Sequence, residues 1–341
     1  MRIEDVEIGL VRARLRRPFV TALGRRTETV NAAITLRLRG RGRGYGEAST
    51  SLALKHLSAE RLLKTLRALG RRFVGRELAE PAAMIRDAWT AAGEVPPAAA
   101  AFESALLSAL CDRQDLSLAD WCGGKLERAR TNLTISADDA AASAAREAAN
   151  EGFSILKVKL SGRLTEDLAR IRAVRAAAPA ARLILDGNQG FSEANAIRLV
   201  ERCLKERWPV DLFEQPTRKD ERGALARVAR RVTIPIAADE SCATPEDAVR
   251  LACDGAVRVF NIKLAKSGVL RSLEIAAVAR AAKIRLMIGC MAESAAGLSA
   301  SVHLALGTGF FTWHDLDSDR LLAESPAAIG WRRSGAEIAL T

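Results

Sequence analysis

From residue 131 onward the sequence repeats one pattern, in which a short apolar run is followed by an alanine-rich stretch with helical spacing. The eight runs lie at residues 133–136, 155–160, 183–186, 210–214, 234–239, 257–263, 286–290 and 310–315. Strands that alternate with helices build right-handed βαβ units around a parallel sheet, and eight strands are the number that closes a barrel. The sequence therefore predicts an α/β fold with a TIM-type (β/α) barrel. An open doubly wound sheet is the alternative, but it would scatter the polar strand ends described below.

The residues before this repeat have the pattern of a separate α+β domain. One strand is predicted around Val6 and Ile8 and a second over residues 29–38, followed by a glycine-rich turn at 40–46. The polar residues 16–28, between the two strands, predict a mobile loop. Three stretches have helical spacing, at residues 58–70, 80–92 and 97–115.

The barrel repeat is shorter than a typical barrel of about 250 residues, so its own loops must be brief. We therefore expect the α+β domain to close the barrel's mouth. The predicted limits are 1–125 for this capping domain, joined by the C-terminal residues 320–341, and 126–319 for the barrel.

Composition indicates a compact protein without membrane contact. Hydrophobic residues make up 49% of the 341 residues, and no apolar run approaches the length of about 20 that spans a bilayer. The N-terminus, with Glu4, Asp5 and Glu7, lacks the pattern of a signal peptide. The six cysteines are scattered without a CxxC pair, as is typical of reduced thiols. We therefore expect a cytoplasmic location.

The net charge of +11 raises the possibility of a nucleic-acid partner. Much of the excess is arginine between residues 12 and 43, where Ile34, Leu36 and Leu38 alternate with polar residues, as in a strand with one buried face. Only 4% of the chain is aromatic, and no nucleic-acid-binding motif is present. Binding of nucleic acid is the weaker interpretation, and a basic surface is the expected one.

The second apolar run, residues 155–160, contains two lysines. Lys157 and Lys159 are two residues apart, so their side chains share one face of a strand. If the strand is central, each ammonium group needs an anionic neighbour, because burying an unpaired charge costs several kcal/mol. If the strand lies at an edge, the lysines are solvated and guard against aggregation. The run alone leaves both interpretations open.

Each strand from the second to the sixth ends in a charged residue, in the order Lys159, Asp186, Glu214, Asp239 and Lys263. The active site of a parallel barrel lies at the C-terminal ends of its strands, so these five side chains should converge. The alternative is that each is a separately solvated loop residue. That is plausible for one of the five and much less so for all of them.

Three neighbouring carboxylates repel one another unless a cation lies between them. Carboxylate oxygens are hard ligands, and we expect no histidine or thiolate ligand beside them. This ligand set favours Mg²⁺, with Mn²⁺ as an alternative. Strands two and six lie on opposite walls of an eight-stranded barrel, which places Lys159 and Lys263 on opposite sides of the metal. Two bases on opposite sides of one carbon suit inversion of a stereocentre, while the metal holds the substrate carboxylate and stabilises the intermediate formed when the α-proton leaves.

Five motifs, in this order along the chain, resemble the enolase superfamily, whose use of a lysine or histidine base with magnesium is well known. They are Lys157-Val158-Lys159, Asp186-Gly187-Asn188, Phe213-Glu214-Gln215-Pro216, Ala238-Asp239-Glu240-Ser241 and Asn261-Ile262-Lys263-Leu264-Ala265-Lys266-Ser267-Gly268. The two-lysine pattern resembles the muconate lactonizing enzyme subgroup. This resemblance implies a modified (β/α)7β barrel with an N-terminal α+β capping domain.

The resemblance also implies roles for individual residues. Lys159 and Lys263 would be the catalytic acid and base, and Asp186, Glu214 and Asp239 the metal ligands. Asn188 and Glu240 would support the metal site, and Lys157 would contact the substrate.

The last two strands resemble those of dipeptide epimerases within this subgroup. Asp315 and Asp317 share a strand face and would hold the α-ammonium group of a dipeptide, whereas they would repel the anionic substrates of cycloisomerases. An exposed acidic turn is the plainer interpretation of this pair. Thr134, Met291 and Glu293 are further predicted substrate contacts, although Thr134 could equally be a structural strand residue.

The resemblance therefore implies a magnesium-dependent epimerase of the C-terminal residue of an L-dipeptide, an isomerase acting on amino acid derivatives and forming a homo-oligomer. The alternatives are an N-acylamino acid racemase, an o-succinylbenzoate synthase or a muconate-type cycloisomerase. The predicted loop at 16–28 corresponds to a lid, where Arg25 or Arg26 could bind a carboxylate on the substrate or could face solvent.

Overall fold

The computed structural model describes residues 1–77, 79–221 and 223–341. Its strands are β1 (Ile3–Thr21), β2 (Gly24–Leu38), β3 (Arg43–Ala48), β4 (Arg128–Arg130), β5 (Leu133–Ile135), β6 (Ile155–Lys159), β7 (Arg182–Asp186), β8 (Val210–Glu214), β9 (Ile236–Ala238), β10 (Val259–Ile262), β11 (Arg285–Gly289), β12 (Phe311–Asp315), β13 (Trp331–Ser334) and β14 (Glu337–Leu340). Its helices are α1 (Ala59–Phe73), α2 (Pro81–Ala92), α3 (Pro96–Arg113), α4 (Leu118–Trp121), α5 (Ala141–Asn150), α6 (Leu164–Ala177), α7 (Glu193–Lys205), α8 (Ala224–Arg231), α9 (Pro245–Asp254), α10 (Leu264–Ala281), α11 (Ala295–Thr308) and α12 (Ser318–Leu321). None of the helices in these described ranges has the length and apolar character needed to cross a bilayer.

Strands β5 to β12 form one parallel sheet in which each strand pairs with the next along the chain. The first and last strands approach each other, and the Asn132 amide donates a hydrogen bond of 2.9 Å to the His314 carbonyl. A long helix, from α5 to α11, follows each strand except β12. The predicted barrel of the (β/α)7β kind is therefore confirmed, and every apolar run identified in the sequence overlaps one strand.

The barrel interior is a packed layer of apolar side chains. This cluster consists of Ile184, Leu212, Ala237, Val259, Met287 and Trp313, which are buried together. Strand side chains alternate between faces, so the residue two positions beyond each of these faces inward as well. That residue is Asp186 in β7, Glu214 in β8 and Asp239 directly after β9. The apolar layer thus closes the barrel from below and leaves polar groups at its C-terminal mouth.

The N-terminal part of the chain forms a cap, which consists of the antiparallel sheet β1–β2–β3 and helices α1, α2 and α3. Ile34 and Leu36 of β2 face its core with no exposed surface, while Arg37 is exposed, as the alternating pattern predicts. Helix α3 lies between β3 and the barrel helix α10 and contacts both. The cap is therefore joined to the barrel mainly through α3.

The prediction of a mobile loop over residues 16–28 is wrong, because β1 and β2 continue through this segment as a hairpin. Phe19 pairs with Arg26 and Thr21 with Gly24, beyond an irregularity that follows Arg14. The hairpin end is attached to the barrel, since Val20 accepts a hydrogen bond from the Ala137 amide (2.9 Å) and its own amide donates to Ser136 Oγ (2.7 Å). These partners lie more than 100 residues away, so the local polar pattern could not indicate them.

The glycine-rich turn predicted at 40–46 is also shorter than expected, because Gly44 and Gly46 belong to β3. A Cβ atom at Gly44 would lie 1.9 Å from the Ala105 carbonyl oxygen, and one at Gly46 would lie 1.9 Å from that of Ala101. These glycines therefore allow the backbone of α3 to approach the sheet directly.

The C-terminal strands β13 and β14 pair with β4, which precedes the first barrel strand. Leu322 forms an isolated bridge with Leu15 of β1, and the Ala323 amide donates a 2.8 Å hydrogen bond to the Arg14 carbonyl. Residues 320–341 thus contact both the cap and the start of the barrel. The domain limits at 125 and 319 stay a prediction.

We expect Gly46→Ala to lower the free energy of unfolding by about 1–3 kcal/mol, because the new methyl group overpacks the contact between β3 and α3. Gly9→Ala in β1 is the matched control, since a Cβ atom there meets no atom within 4 Å. Urea unfolding followed by circular dichroism measures both. Equal stability of the two variants would contradict the close approach.

Candidate active site

A cavity of about 350 Å³ lies between the barrel mouth and the cap. Its barrel wall includes Lys159, Asp239, Glu240, Lys263, Asp315 and Asp317. Its cap wall is mostly apolar and includes Leu15, Phe19, Leu23, Leu52, Leu54 and Leu57. The volume is within the range of small-molecule sites. The predicted site residues therefore surround a space that is charged on one side and apolar on the other.

Lys157 is fully buried, which excludes the edge-strand interpretation. Its Nζ lies 2.6 Å from Asp315 Oδ2, 2.8 Å from Glu214 Oε2 and 3.1 Å from Asp186 Oδ2. Burial opposes the charge, but these carboxylates outweigh it and raise the pKa of Lys157 well above its ordinary value. Lys157 thus links the strand-end carboxylates to the last strand of the barrel.

Lys159 lies nearer the cavity than Lys157. Its Nζ donates a 2.6 Å hydrogen bond to Asp186 Oδ2 and lies 5.8 Å from the centre of the Phe19 ring. Because Phe19 belongs to the hairpin, the cap also contacts Lys159. The ammonium group thus has a strand-end acid and an aromatic ring of the cap as neighbours.

Lys263 lies directly before α10, and its Nζ donates a 2.8 Å hydrogen bond to Asp239 Oδ2. Burial opposes its charge, but Asp239 raises the pKa of Lys263 above its usual range. Lys266, one turn later, donates to Asp239 Oδ1 at 2.7 Å and to the Cys242 and Asn261 carbonyls at 3.0 Å. The two lysines therefore hold the two oxygens of Asp239 separately.

The other two carboxylates are buried and differ in their electrostatics. Burial and repulsion from Asp186 raise the pKa of Glu214 to about 7. Burial acts in the same direction on Asp186, but Lys159 and Lys157 outweigh it and lower the pKa of Asp186 to about 2. Asn261 donates a 2.7 Å hydrogen bond to Glu214 Oε1. The group of acids is therefore stabilised by ammonium and amide donors.

Several oxygens near these acids fit a divalent cation. Asn188 Oδ1 and both carboxylate oxygens of Glu240 are buried without a hydrogen-bond partner. Burial and repulsion from Asp239 raise the pKa of Glu240 to about 8. Within residues 1–77, 79–221 and 223–341, no three acids, histidines or cysteines are already gathered as a metal cluster. The unpaired oxygens of Asn188 and Glu240 are hard donors of the kind that Mg²⁺ binds.

Asp315 and Asp317 lie at the cavity wall, buried rather than on an exposed turn. Asp315 Oδ1 accepts a 2.8 Å hydrogen bond from Asn132, and Asp317 Oδ2 accepts one from the Thr134 amide. Burial and repulsion from Asp315 raise the pKa of Asp317 to about 6. Burial would also raise the pKa of Asp315, but Lys157 outweighs it and keeps this pKa below its ordinary value. The pair could therefore attract a further cation.

The remaining predicted contacts divide into two groups. Thr134 and Met291 line the cavity. Glu293 is buried behind the wall, where its carboxylate accepts a 2.6 Å hydrogen bond from the Met291 amide. Lys157 likewise lies beneath the wall. A direct substrate contact by Glu293 or Lys157 stays a prediction.

Four polar residues that shape the site were given no role from the sequence: Asn132, Gln215, Asn261 and Lys266. Gln215 is fully buried, and its Oε1 accepts hydrogen bonds from the Asp239 and Ser241 amides at 3.0 and 3.1 Å. Asn261 and Lys266 occur in the same motif as Lys263, so a strand-face argument could have identified Asn261. No local signal indicates that Asn132 reaches Asp315.

The two lid arginines have different positions. Arg25 is exposed, whereas Arg26 lines the cavity and donates to the Thr50 carbonyl and hydroxyl at 3.1 and 2.9 Å. Of the two predicted carboxylate-binding residues, Arg26 alone faces the cavity.

The family model described as "Enolase C-terminal domain-like" matches residues 139–332. An aromatic dipeptide epimerase of Herpetosiphon aurantiacus is 38% identical over 72% of this chain and 70% of its own length. An L-Ala-D/L-Glu epimerase of Thermotoga maritima is 32% identical over 95% of this chain and 94% of its own. Dipeptide epimerase from Enterococcus faecalis, in a crystal structure complexed with Mg and the dipeptide L-Leu-L-Tyr, is 28% identical with a TM-score of 0.92, covering 100% of this chain and 98% of that one.

The chain belongs to the enolase superfamily, in the group of mandelate racemase and muconate lactonizing enzymes, which confirms the resemblance seen in the sequence. The prediction of an isomerase of the racemase and epimerase class is also confirmed.

Lys157→Met should lower the free energy of unfolding by about 3–5 kcal/mol, because it leaves three buried carboxylates without their shared ammonium group. The measurement is urea unfolding in the presence of a chelator. Arg218→Met, which removes an exposed ion pair with Asp220, is the control and should leave the midpoint unchanged. A midpoint unaffected by Lys157→Met would show that Lys157 does not hold the acids together.

Proposed function

We propose that this protein is a magnesium-dependent dipeptide epimerase that inverts the α-carbon of the C-terminal residue of an L-dipeptide. The observation that carries the proposal is the cavity wall, which combines two lysines on opposite strands with a buried aspartate pair. The named relatives, which are dipeptide epimerases, support the same substrate class.

The proposed chemistry uses Lys159 and Lys263 as the two acid–base groups. Lys159 ends β6 and Lys263 follows β10, four strands further round the barrel. One lysine removes the α-proton, and the other returns a proton to the opposite face of the flattened carbon. The roles exchange when the substrate has the opposite hand. Both side chains are held by carboxylates, so both Nζ atoms are oriented before substrate binds, the one that removes the proton as a neutral amine and the other as an ammonium group.

Asp186, Glu214 and Asp239 are the proposed ligands of Mg²⁺, and Mn²⁺ has the same preference for oxygen ligands. The ion supplies positive charge to the substrate carboxylate, which makes loss of the α-proton easier. Asn188 and Glu240, whose oxygens lack partners, are proposed to support this site.

Asp315 and Asp317 are proposed to bind the α-ammonium group of the dipeptide, with Thr134 fixing the orientation of Asp317. A buried acidic pair stabilises a cation and repels a substrate with an anionic N-acyl group. This preference separates a dipeptide epimerase from an N-acylamino acid racemase or an o-succinylbenzoate synthase.

Lys159→Ala and Lys263→Ala should each reduce epimerisation by about 10²–10⁴-fold, because each removes one of the two proton-transfer groups. In D₂O, each variant should still exchange the α-proton of one substrate hand, which differs between the two variants. Proton NMR of L,L- and L,D-dipeptides measures exchange and inversion together.

Lys205→Ala, at the exposed end of α7 and outside the cavity lining, is the control and should retain full activity. Treatment of the unmodified enzyme with EDTA should abolish exchange, and added Mg²⁺ should restore it. Full epimerisation by either catalytic lysine variant would refute the two-base scheme.

Asp317→Asn should lower kcat/KM for free-amine dipeptides by about 30-fold, corresponding to a loss of about 2 kcal/mol, because the ammonium group loses a buried partner. Asp319→Asn is the matched control, since Asp319 forms an ion pair with Arg333 and does not line the cavity. A steady-state assay compares both variants on dipeptides and on N-succinyl amino acids. Faster turnover of N-succinyl amino acids by the unmodified enzyme would favour the racemase alternative.

A further inference from the structure

Helix α10 is broken at Gly268, where the backbone has φ 66° and ψ −170°. One turn, residues 264–267, lies between Lys263 and the break. Lys266 belongs to this turn, and its Nζ reaches Asp239. The main part of α10 begins again beyond Gly268. The position of Lys263 therefore depends on a short turn between strand β10 and a second helix start.

This second start is held by a residue of the cap. Glu103, in the middle of α3, has no exposed surface. Its Oε1 accepts a 2.7 Å hydrogen bond from the Leu270 amide, and its Oε2 accepts one of 2.7 Å from Trp89 Nε1. A carboxylate at the first amides of a helix satisfies free donors and interacts favourably with the helix dipole. Such a cap normally comes from the residue just before the helix. Here it comes from another part of the chain.

The contact between Glu103 and the break in α10 is close. A Cβ atom at Gly268 would lie 2.1 Å from Glu103 Oε2 and 2.9 Å from Trp89 Cζ2. On the far side, the Arg271 guanidinium lies 4.4 Å from the centre of the Trp89 ring. Glu103 and Trp89 thus fix both the break and the first residues after it.

We propose that Glu103 is a positioning residue for Lys263, acting by capping the interrupted helix that follows Lys263 directly. The chemical role of Lys263 in this inference rests on the proposed function. Loss of the cap would free the turn at 264–267 and shift Lys263, whereas Lys159, on β6, would keep its place. Proton transfer would therefore be impaired on one face of the substrate carbon more than on the other.

The test compares Glu103→Ala with Lys263→Ala and Lys159→Ala in D₂O. A shift of about 1 Å in a reacting group can cost about 10²-fold in rate, so Glu103→Ala should lower kcat by about 10- to 100-fold and change KM little. The ratio of α-proton exchange to inversion should rise for the same substrate hand as in Lys263→Ala. Glu103→Gln, which retains one acceptor for Leu270, should recover part of kcat.

Phe102→Leu is the matched control, because the neighbouring Phe102 packs on Phe73 within the cap, with ring centres 5.0 Å apart. It should destabilise the cap without changing the ratio of exchange to inversion. A Glu103→Ala variant that loses activity equally for both hands, as a general loss of folding would cause, overturns the inference.

A second measurement does not depend on the activity. Backbone amide hydrogen exchange, followed by mass spectrometry, should quicken over residues 264–270 in Glu103→Ala but not in Phe102→Leu. If neither lysine variant shows exchange specific to one hand, the proposed function fails, and this amide exchange alone decides the inference. Unchanged exchange over residues 264–270 would overturn it.

Discussion

The structure depends on the charge balance at the barrel mouth, which centres on the fully buried ammonium group of Lys157. Asp186, Glu214 and Asp315 all lie within 3.1 Å of this group, on strands that span the sheet from β7 to β12. Any one of these charges would be costly to bury alone. Together they hold the strand ends in place, so the same ion pairs that stabilise the mouth also orient the groups proposed to carry out the chemistry.

The barrel and its mouth could be predicted because their signals are local. Each strand lies in a mostly apolar run, and each charged residue follows from the alternation of side chains along that run. Lys159, Asp186 and Glu214 end their strands, and Asp239 and Lys263 come directly after theirs. Because these residues follow successive strands, their regular spacing along the sequence predicts neighbouring positions around the barrel mouth.

The errors and omissions concern interactions between distant parts of the chain. The polar hairpin over residues 16–28 is held by Ser136 and Ala137, which its own sequence does not indicate. Gly44 and Gly46 have the appearance of turn residues, yet their absent side chains matter only because α3 packs against them. Glu103 is an acidic residue within an alanine-rich helix. Its partner Leu270 comes close only because the cap docks on the barrel. Such contacts depend on tertiary packing rather than on a local pattern.

The cavity draws its charged wall from barrel strand ends and its apolar wall from the cap, with Phe19 on the hairpin and residues 52–54 just beyond the cap sheet. The apolar lining and the groups proposed for proton transfer are thus encoded in separate stretches of sequence. During evolution, substitutions in the hairpin could alter which substrates are accepted while the acid–base groups stay in place. A gene duplicate of such a protein could acquire a new preference without first losing its chemistry.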